Sequence, residues 1–434
     1  MKSSNIAVVI CNFNGGIDTV NCIEAVQQNN FKVIDIYVVD NASEDNSVEL
    51  LVEKYNDTIK IIRNFENLGG AGGFGRGIRH AINLGYEYIM VIDNDAFVDN
   101  DTISKLYAHL SKNSEVGIIG AKIMMLDDKE RIFDFAKRMD WDNFCDGSDW
   151  VGKLDSPDTE KAYECDYVAA TASMMRVSAL VRTGGMDEEH FIYYDDIDLC
   201  QRIRMAGYKV VCLGTTKAWH RSNMSKVPTN TFARYYLTRN RYHFFAKYLP
   251  EERLEEFADH VINQIFPYIY GSHKSGREDM FLTYKYILED FMNDVRGKAR
   301  PGRINQILNV WPENIAKLVG DKKSIAICML DGGRETTYNK VIDAIDQLDG
   351  DVHYEKVDLV DQKDYDLVIA LCDHVKEQSN NILPAVYIDA YGNIVDDYKS
   401  YLYFQNYDNA FELFKHMYKP SVMEGIQKIR ESHS

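Results

Sequence analysis

The chain predicts an α/β fold built on a mainly parallel sheet, and three observations carry that expectation. Unbroken apolar runs alternate with helical periodicity through the first third of the 434 residues. Acidic residues stand at the carboxyl ends of two of those runs, at Asp40 and at Asp93 and Asp95. A second, shorter α/β pattern opens after Gly320. Strands buried on both faces read as continuous apolar stretches, whereas half-exposed strands alternate. A chain this long exceeds one ordinary core, so more than one domain is expected.

The elements follow in order. Residues 6–10 are a first buried strand, ended by Asn12, and residues 17–29 a helix. Residues 33–39 are a second strand ending at Asp40, and Ser43 to Ser47 offer capping side chains for a helix through Leu51. Residues 59–62 are a short third strand. A glycine-rich loop and a helix through Ala81 come next, then a fourth strand over 86–92. This βαβα order implies parallel pairing with helices on both faces. Ligands of such sheets sit beyond the carboxyl ends of the strands. From 121 to 214 the pattern mixes short strands and loops. From 231 to 303 it is helical and rich in Tyr, Phe and Leu, until Arg300-Pro-Gly-Arg303 breaks it. Residues 324–328, 366–371 and 384–389 then read as strands. The expected division is 1–228, 229–320 and 321–434.

Composition excludes several classes. Hydrophobic residues at 45% and charged residues at 27% describe a folded chain and not a disordered one. A formal net charge of −18 disfavours general nucleic-acid binding, which needs a basic surface. Eight scattered cysteines without a CxxC pair argue against a zinc knuckle and suit a reducing compartment. The first apolar run is too short for a signal peptide. No run reaches the roughly 18 apolar residues of a membrane span. The expected place is the cytoplasm, with attachment to the inner face of the membrane left open.

Four constellations carry chemistry. Asp93-Asn-Asp95 puts two carboxylates on one side of an extended segment, where they can hold a hard divalent cation beside diphosphate oxygens. The plainer reading is a solvated strand end. Tyr193-Tyr-Asp-Asp-Ile-Asp198 packs three acids among apolar neighbours, which suits a general base of raised pKa. Acids offsetting a helix N-terminus are the plainer reading, and one acid can cap while another does chemistry. His220 follows a strand-like run and would complete a mixed oxygen and nitrogen metal site; Trp219 beside it is a candidate acceptor platform or a core residue. Asn67 to Gly77 contains a formal GxGxxG at Gly70, Gly72 and Gly75, the basis of a dinucleotide-dependent oxidoreductase reading. Against it, the glycines do not follow the first strand. Arg234 to Lys247 interleaves bases with aromatics, either an acidic, lipid-linked acceptor site at a membrane surface or an ordinary packed helix. Arg296, Lys298, Arg300 and Arg303 form a smaller basic cluster with the same two readings.

Taken together these segments resemble glycosyltransferase family two, the inverting enzymes with the GT-A nucleotide-sugar fold, over roughly residues 5–300. Val38-Val-Asp-Asn-Ala-Ser43 resembles the nucleotide-contacting strand end and Ile92-Asp-Asn-Asp95 the metal motif. Gly184 to Arg202 resembles the segment that carries the base, and Tyr236-Leu-Thr-Arg-Asn240 a following element. The resemblance implies Asp196 as catalytic base, and Asp95, His220 and Asp93 as ligands of Mn²⁺ or Mg²⁺. It implies donor contacts from Asn12, Asp40, Asn67, Gly69, Gly70, Arg76, Asp93 and Asn94, and acceptor contacts from Trp219, Asp195, Arg239 and Asn240. Asn67-Leu-Gly-Gly-Ala-Gly-Gly-Phe is most similar to galactofuranosyl- and rhamnosyltransferases, implying a UDP- or dTDP-sugar donor and a glycan or lipid-linked glycan acceptor in capsule or cell-envelope synthesis. Asn94 departs from the three acids of the polymerising group. A homo-oligomer and a peripheral membrane contact are further expectations. The alternatives are the NAD-dependent oxidoreductase and a non-catalytic glycan-binding homologue. The segment after 321 carries no resemblance and is expected to be a small α/β accessory domain.

Overall fold

The computed structural model describes residues 4–32, 34–221, 228–330, 333–348, 351–357, 365–373, 386–396 and 406–433. The chain forms two compact units: residues 1–227 with 296–299, and residues 228–295 with 300–434.

The first unit opens with the expected alternation: β1 (Ile6–Asn12), α1 (Gly16–Gln28), β2 (Asp35–Asp40), α2 (Ser47–Tyr55), β3 (Lys60–Arg63), α3 (Gly69–Asn83) and β4 (Tyr88–Asp93). Next come β5 (Ala96–Val98), α4 (Thr102–Lys112), β6 (Val116–Met125), β7 (Ile132–Asp134), β8 (Arg138–Asp140), β9 (Cys145–Gly147) and β10 (Ala162–Glu164). The unit closes with β11 (Ala172–Arg176), α5 (Val177–Thr183), α6 (Asp195–Met205) and β12 (Lys209–His220). The sheet order is β10-β12-β6-β11-β4-β1-β2-β3, with β5 and β7 pairing at β12 and β6. β1 to β4 pair in parallel, and β11 runs antiparallel between β4 and β6.

The apolar runs explain this sheet. Val8, Ile10, Val38, Met90 and Ile92 have no exposed surface and join α1 and α4 in one core. Burying one such side chain contributes about 1.5–3 kcal/mol, which offsets the entropy of ordering it. The register then decides where chemistry can occur. Asn12 lies opposite Asp40, Cys11 opposite Asp93, and Asp40 opposite Arg63, so these strand ends stand level at one edge.

The glycine-rich segment is a helix, where a loop was expected. Asn41 starts it by accepting Leu68 N–H at 3.1 Å and donating to Gly69 O at 2.9 Å. Gly73 and Gly77 let α3 lie against the sheet, since a Cβ there would overlap Cys11 Sγ and Val9 Cγ1. Each helical glycine costs about 1 kcal/mol, and close packing is what offsets it. Gly70, Gly72 and Gly75 therefore do not form the tight turn after β1 that a dinucleotide site requires, which corrects the oxidoreductase reading. The strand-like run before His220 includes His220 itself, since β12 spans Lys209–His220. A register shift between Leu213 and Lys217 re-aims it toward β5 and carries it to His220.

The second unit begins with α7 (Phe232–Tyr248), α8 (Leu254–Lys274), α9 (Glu278–Met292) and α10 (Trp311–Val319). A sheet follows from β13 (Ser324–Met329), β14 (His353–Val357), β15 (Leu367–Cys372), β16 (Val386–Asp389) and β17 (Ile394–Val395), with α11 (Glu335–Asp346) after β13 and α12 (Tyr407–Glu431) at the end. Its order is β14-β13-β15-β16-β17. Two of its strands escaped the sequence reading. β14 is a mostly exposed edge, so it lacks an apolar run, and β17 has only two residues. Of the expected strand 384–389, residues 384 and 385 lie outside the described residues.

α7 is enclosed and not an amphipathic surface helix. Tyr235, Arg239 and Phe245 have no exposed surface, and the Arg239 guanidinium lies over the Tyr235 and Tyr236 rings. In the smaller basic cluster Arg296 pairs with Glu189 at 2.7 Å, and Arg303 with Glu289 at 2.8 Å and Asp290 at 3.1 Å. Among the described residues no helix is long and apolar enough to cross a membrane.

Candidate active site

The site is assembled at the carboxyl edge of the first unit's sheet. β4 ends at Asp93, the chain turns through Asn94 and Asp95, and β5 leads away. β5 pairs with the far end of β12, with His220 opposite Ala96. His220 Nε2 thereby comes within 3.1 Å of Asp95 Oδ1 and 3.8 Å of Asp93 Oδ2. Its ring stacks on Phe133 at a centroid distance of 5.5 Å. Its Nδ1 is buried without a hydrogen-bond partner, so Nε2 alone faces the acids.

The electrostatics are those of a site with surplus negative charge. Burial pushes Asp93 up, helped by Asp95 and opposed by His220. Burial also opposes ionisation of Asp95, but the hydrogen bond and charge of His220 outweigh it and leave Asp95 below its usual value. Burial would lower His220, yet Asp95 and Asp93 raise it. One imidazole nitrogen and two carboxylates converging from separate elements fit the donor set of a divalent cation such as Mn²⁺ or Mg²⁺. A tighter group, Asp187, His190 and Asp198, has ligand atoms all within 4.8 Å of one another. There Arg202 Nε already donates to Asp198 at 2.7 Å, so that carboxylate is neutralised from within the fold.

Asp195 and Asp196 open α6. Asp196 Oδ2 accepts Ala170 N–H at 3.2 Å, while Oδ1 accepts Ile197 N–H at 2.8 Å. Burial pushes Asp196 up to about 6; the Ala170 hydrogen bond opposes this and Asp134 adds to it. Asp195 stands well above the usual carboxylate range, through burial and the neighbouring Asp196. A carboxyl group poised near neutrality is suited to taking a proton.

The expected donor residues divide into two groups. Asp40 and Asn12 are wholly enclosed: Asn12 Nδ2 donates to Asp40 Oδ1 at 3.0 Å and to Ser43 Oγ at 3.0 Å. Asn94 turns inward toward Asn12, Gly15 and Thr19 at 3.3–3.4 Å, while its two acidic neighbours stay at the edge. Asn67 accepts from Asn41 and from Gly69 N–H, and Arg76 donates to Asn64 at 2.5 Å. Gly70 is the glycine of α3 that packing does not require, because a Cβ there would meet nothing nearer than Ile192 at 4.0 Å. On the acceptor side, Trp219 is half-buried, with an indole N–H lacking a partner. Arg239 and Asn240, expected on the acceptor side, lie at 0% and 2% exposure in α7 of the second unit.

Sequence reading missed Asn41, Asn64, Asp134, Asp146 and Lys137, which pairs with Asp134 at 3.2 Å. Asn41 stands beside Asp40 and carried a readable signal. The other four stand on loops or very short strands, where no periodicity marks them.

A glycine at position 69 is required twice. Its φ is +71°, and a Cβ would overlap the Phe191 carbonyl oxygen. Gly69→Ala is expected to lower stability by about 2–3 kcal/mol, read as an earlier denaturant midpoint. A midpoint equal to wild type would contradict this packing.

Residues 7–182 match the family model described as Glycosyl transferase family 2. The glycosyltransferase GlyG of Streptococcus pneumoniae is 30% identical over 125 residues, covering 27% of this chain and 39% of the relative. The galactofuranosyltransferase GlfT1 of Mycolicibacterium smegmatis is 24% identical over 186 residues, covering 43% and 60%. The dTDP-rhamnosyl transferase RfbF of Shigella flexneri is 24% identical over 220 residues, covering 50% and 69%. The chain thus spans from 39% to 69% of the length of these curated relatives. The parallel β1 to β4 and the acids level at one edge lie within the matched stretch, so residues 7–182 of the first unit resemble a glycosyltransferase family 2 domain of GT-A fold.

Proposed function

We propose that the protein is an inverting transferase moving a sugar from a nucleoside diphosphate to the hydroxyl of a glycan or lipid-linked glycan. The observation that carries this reading is the meeting of Asp93, Asp95 and His220 with the Asp195–Asp196 pair at one strand edge. Asp196 accepts the proton of the acceptor hydroxyl. The new bond forms between that oxygen and the anomeric carbon as the bond from that carbon to the diphosphate oxygen breaks, and the nucleoside diphosphate departs with the electron pair. Asp95, His220 and Asp93 would hold the Mn²⁺ or Mg²⁺, which when bound offsets diphosphate charge. Asn67, Gly69, Gly70 and Arg76 lie where the donor would approach, and Asp40, Asn12 and Asn94 hold that edge in shape. Trp219 and Asp195 flank the acceptor side.

Galactofuranose and rhamnose are the favoured sugars, supported by the Asn67–Phe74 segment and by the names of two relatives. Synthesis of capsule or cell-envelope polysaccharide at the cytoplasmic face of the membrane is the setting this implies. The test is a set of thermal shifts with UDP, dTDP, GDP and NAD, each with Mn²⁺ or with chelator. A ligand that binds the folded state raises the midpoint by mass action. A shift with one nucleoside diphosphate that vanishes with chelator is expected. A shift with NAD alone, indifferent to the metal, would overturn the proposal.

A further inference from the structure

The residues that lead into α6 hold an unusual backbone. Phe191, Tyr193 and Tyr194 have φ values of +66°, +63° and +66°, although none is glycine. Side chains resist this region by about 1–2 kcal/mol per residue. Ile192 N–H donates back to His190 O at 2.8 Å, a tight turn around Phe191 of the rarer, strained hand. Such a run persists only where its surroundings over-determine it.

Two braces do so. On one side α3 supplies Ala71 N–H to Phe191 O at 3.1 Å, and Gly69 leaves room for that carbonyl. On the other side stands Asp146, in the β8–β9 hairpin opposite Met139. Tyr194 Oη donates to Asp146 Oδ1 at 3.0 Å, and Tyr167 Oη donates to Oδ2. Both tyrosines are buried, at 4% exposure each. The hairpin is itself anchored, with Met139 N–H donating to Asp166 at 2.8 Å and Arg204 pairing with Asp166 at 2.9 Å.

Tyr194 matters because of what it begins. Its carbonyl accepts Asp198 N–H at 2.9 Å, a bond of the first turn of α6, which carries Asp195 and Asp196. If Tyr194 relaxed to negative φ, that turn would unwind and the two carboxylates would move. A displacement of about 1 Å at a reacting group costs on the order of 10²-fold in rate.

We propose that Asp146 is a positioning residue for the transfer step: by accepting both tyrosine hydroxyls it locks the left-handed Tyr193–Tyr194 pair and so fixes the Asp196 carboxylate where the acceptor is deprotonated. This inference rests on the transferase reading. It assigns a task to the small hairpin, which the main sheet does not need.

The test uses the full chain, with Tyr194→Phe, Asp146→Asn and the double variant. Turnover is read as nucleoside diphosphate released from UDP-galactofuranose or dTDP-rhamnose with water as acceptor. Donor binding is read by thermal shift, and hydrogen exchange follows the peptide over 191–198. Tyr194→Phe leaves every charge in place, so it separates position from electrostatics. The expected result is turnover lowered about 10–100-fold, donor binding within twofold of wild type, faster exchange confined to 191–198, and no further loss in the double variant. Wild-type turnover in both single variants, or losses that multiply in the double, would overturn the assignment of Asp146 and leave the transferase reading intact. No release by the wild-type protein from either sugar nucleotide, together with no nucleoside diphosphate shift, would remove both.

Discussion

Asp196→Asn is expected to lower turnover by about 10²–10⁴-fold while donor affinity stays within twofold of wild type. The substitution keeps the size, removes the proton acceptor and retains one oxygen to accept from Ile197 N–H, giving up the longer bond from Ala170 N–H. Turnover at the wild-type rate would sink the base assignment. The wild-type pH profile supplies an independent check. Burial pushes Asp196 up to about 6, so its basic form is lost as pH falls through about 6, and turnover should fall with it. The same shift fixes the sign of its effect on stability. A carboxyl group raised on folding favours the protonated form, and its contribution is fully present below the unfolded value and lost as pH rises through about 6. Relief of the buried charge opposes the loss of the Ala170 bond, so Asp196→Asn should melt close to the wild-type temperature at pH 8, while being inactive. A variant that loses both activity and stability at pH 8 would mark Asp196 as a structural residue.

Asp95→Ala is the second large effect. Donor affinity should fall roughly 10–100-fold and lose its dependence on added Mn²⁺. The reason is charge: Asp93 and Asp195 stand at the same edge, and a diphosphate entering beside them is repelled unless a cation intervenes. His220→Ala should give the same pattern, because Nε2 is the nitrogen that faces both acids. Chelator applied to wild type should reproduce the variants. Donor affinity that ignores chelator in wild type and is unchanged in Asp95→Ala would reject the metal site. Measuring both variants by calorimetry, with and without Mn²⁺, separates loss of the cation from loss of a direct contact.

The site was legible where one segment carries its own signal. Asp93 and Asp95 were readable because two acids end a long apolar strand, and Asp195–Asp196 because acids crowd a helix start. Their mutual placement was not. His220 reaches Asp95 only because β12 shifts register between Leu213 and Lys217 and then pairs with β5. Asp134 and Asp146 lie on three-residue strands, too short to show a period of two. The glycine-rich segment misled for a different reason. Glycine signals permissive backbone locally, yet here it answers to the Val9 and Cys11 side chains of a strand some sixty residues away.

By itself, then, the sequence determined the βαβα order, the two families of acids and the strand ends at which they stand, because apolar periodicity and local charge are properties of neighbours in the chain. Only the tertiary structure decided that α3 is a helix pressed on β1, that Arg239 is buried, and that Asp146 reaches Tyr194. Each of these depends on what a side chain meets across the fold, and no local pattern of residues encodes that.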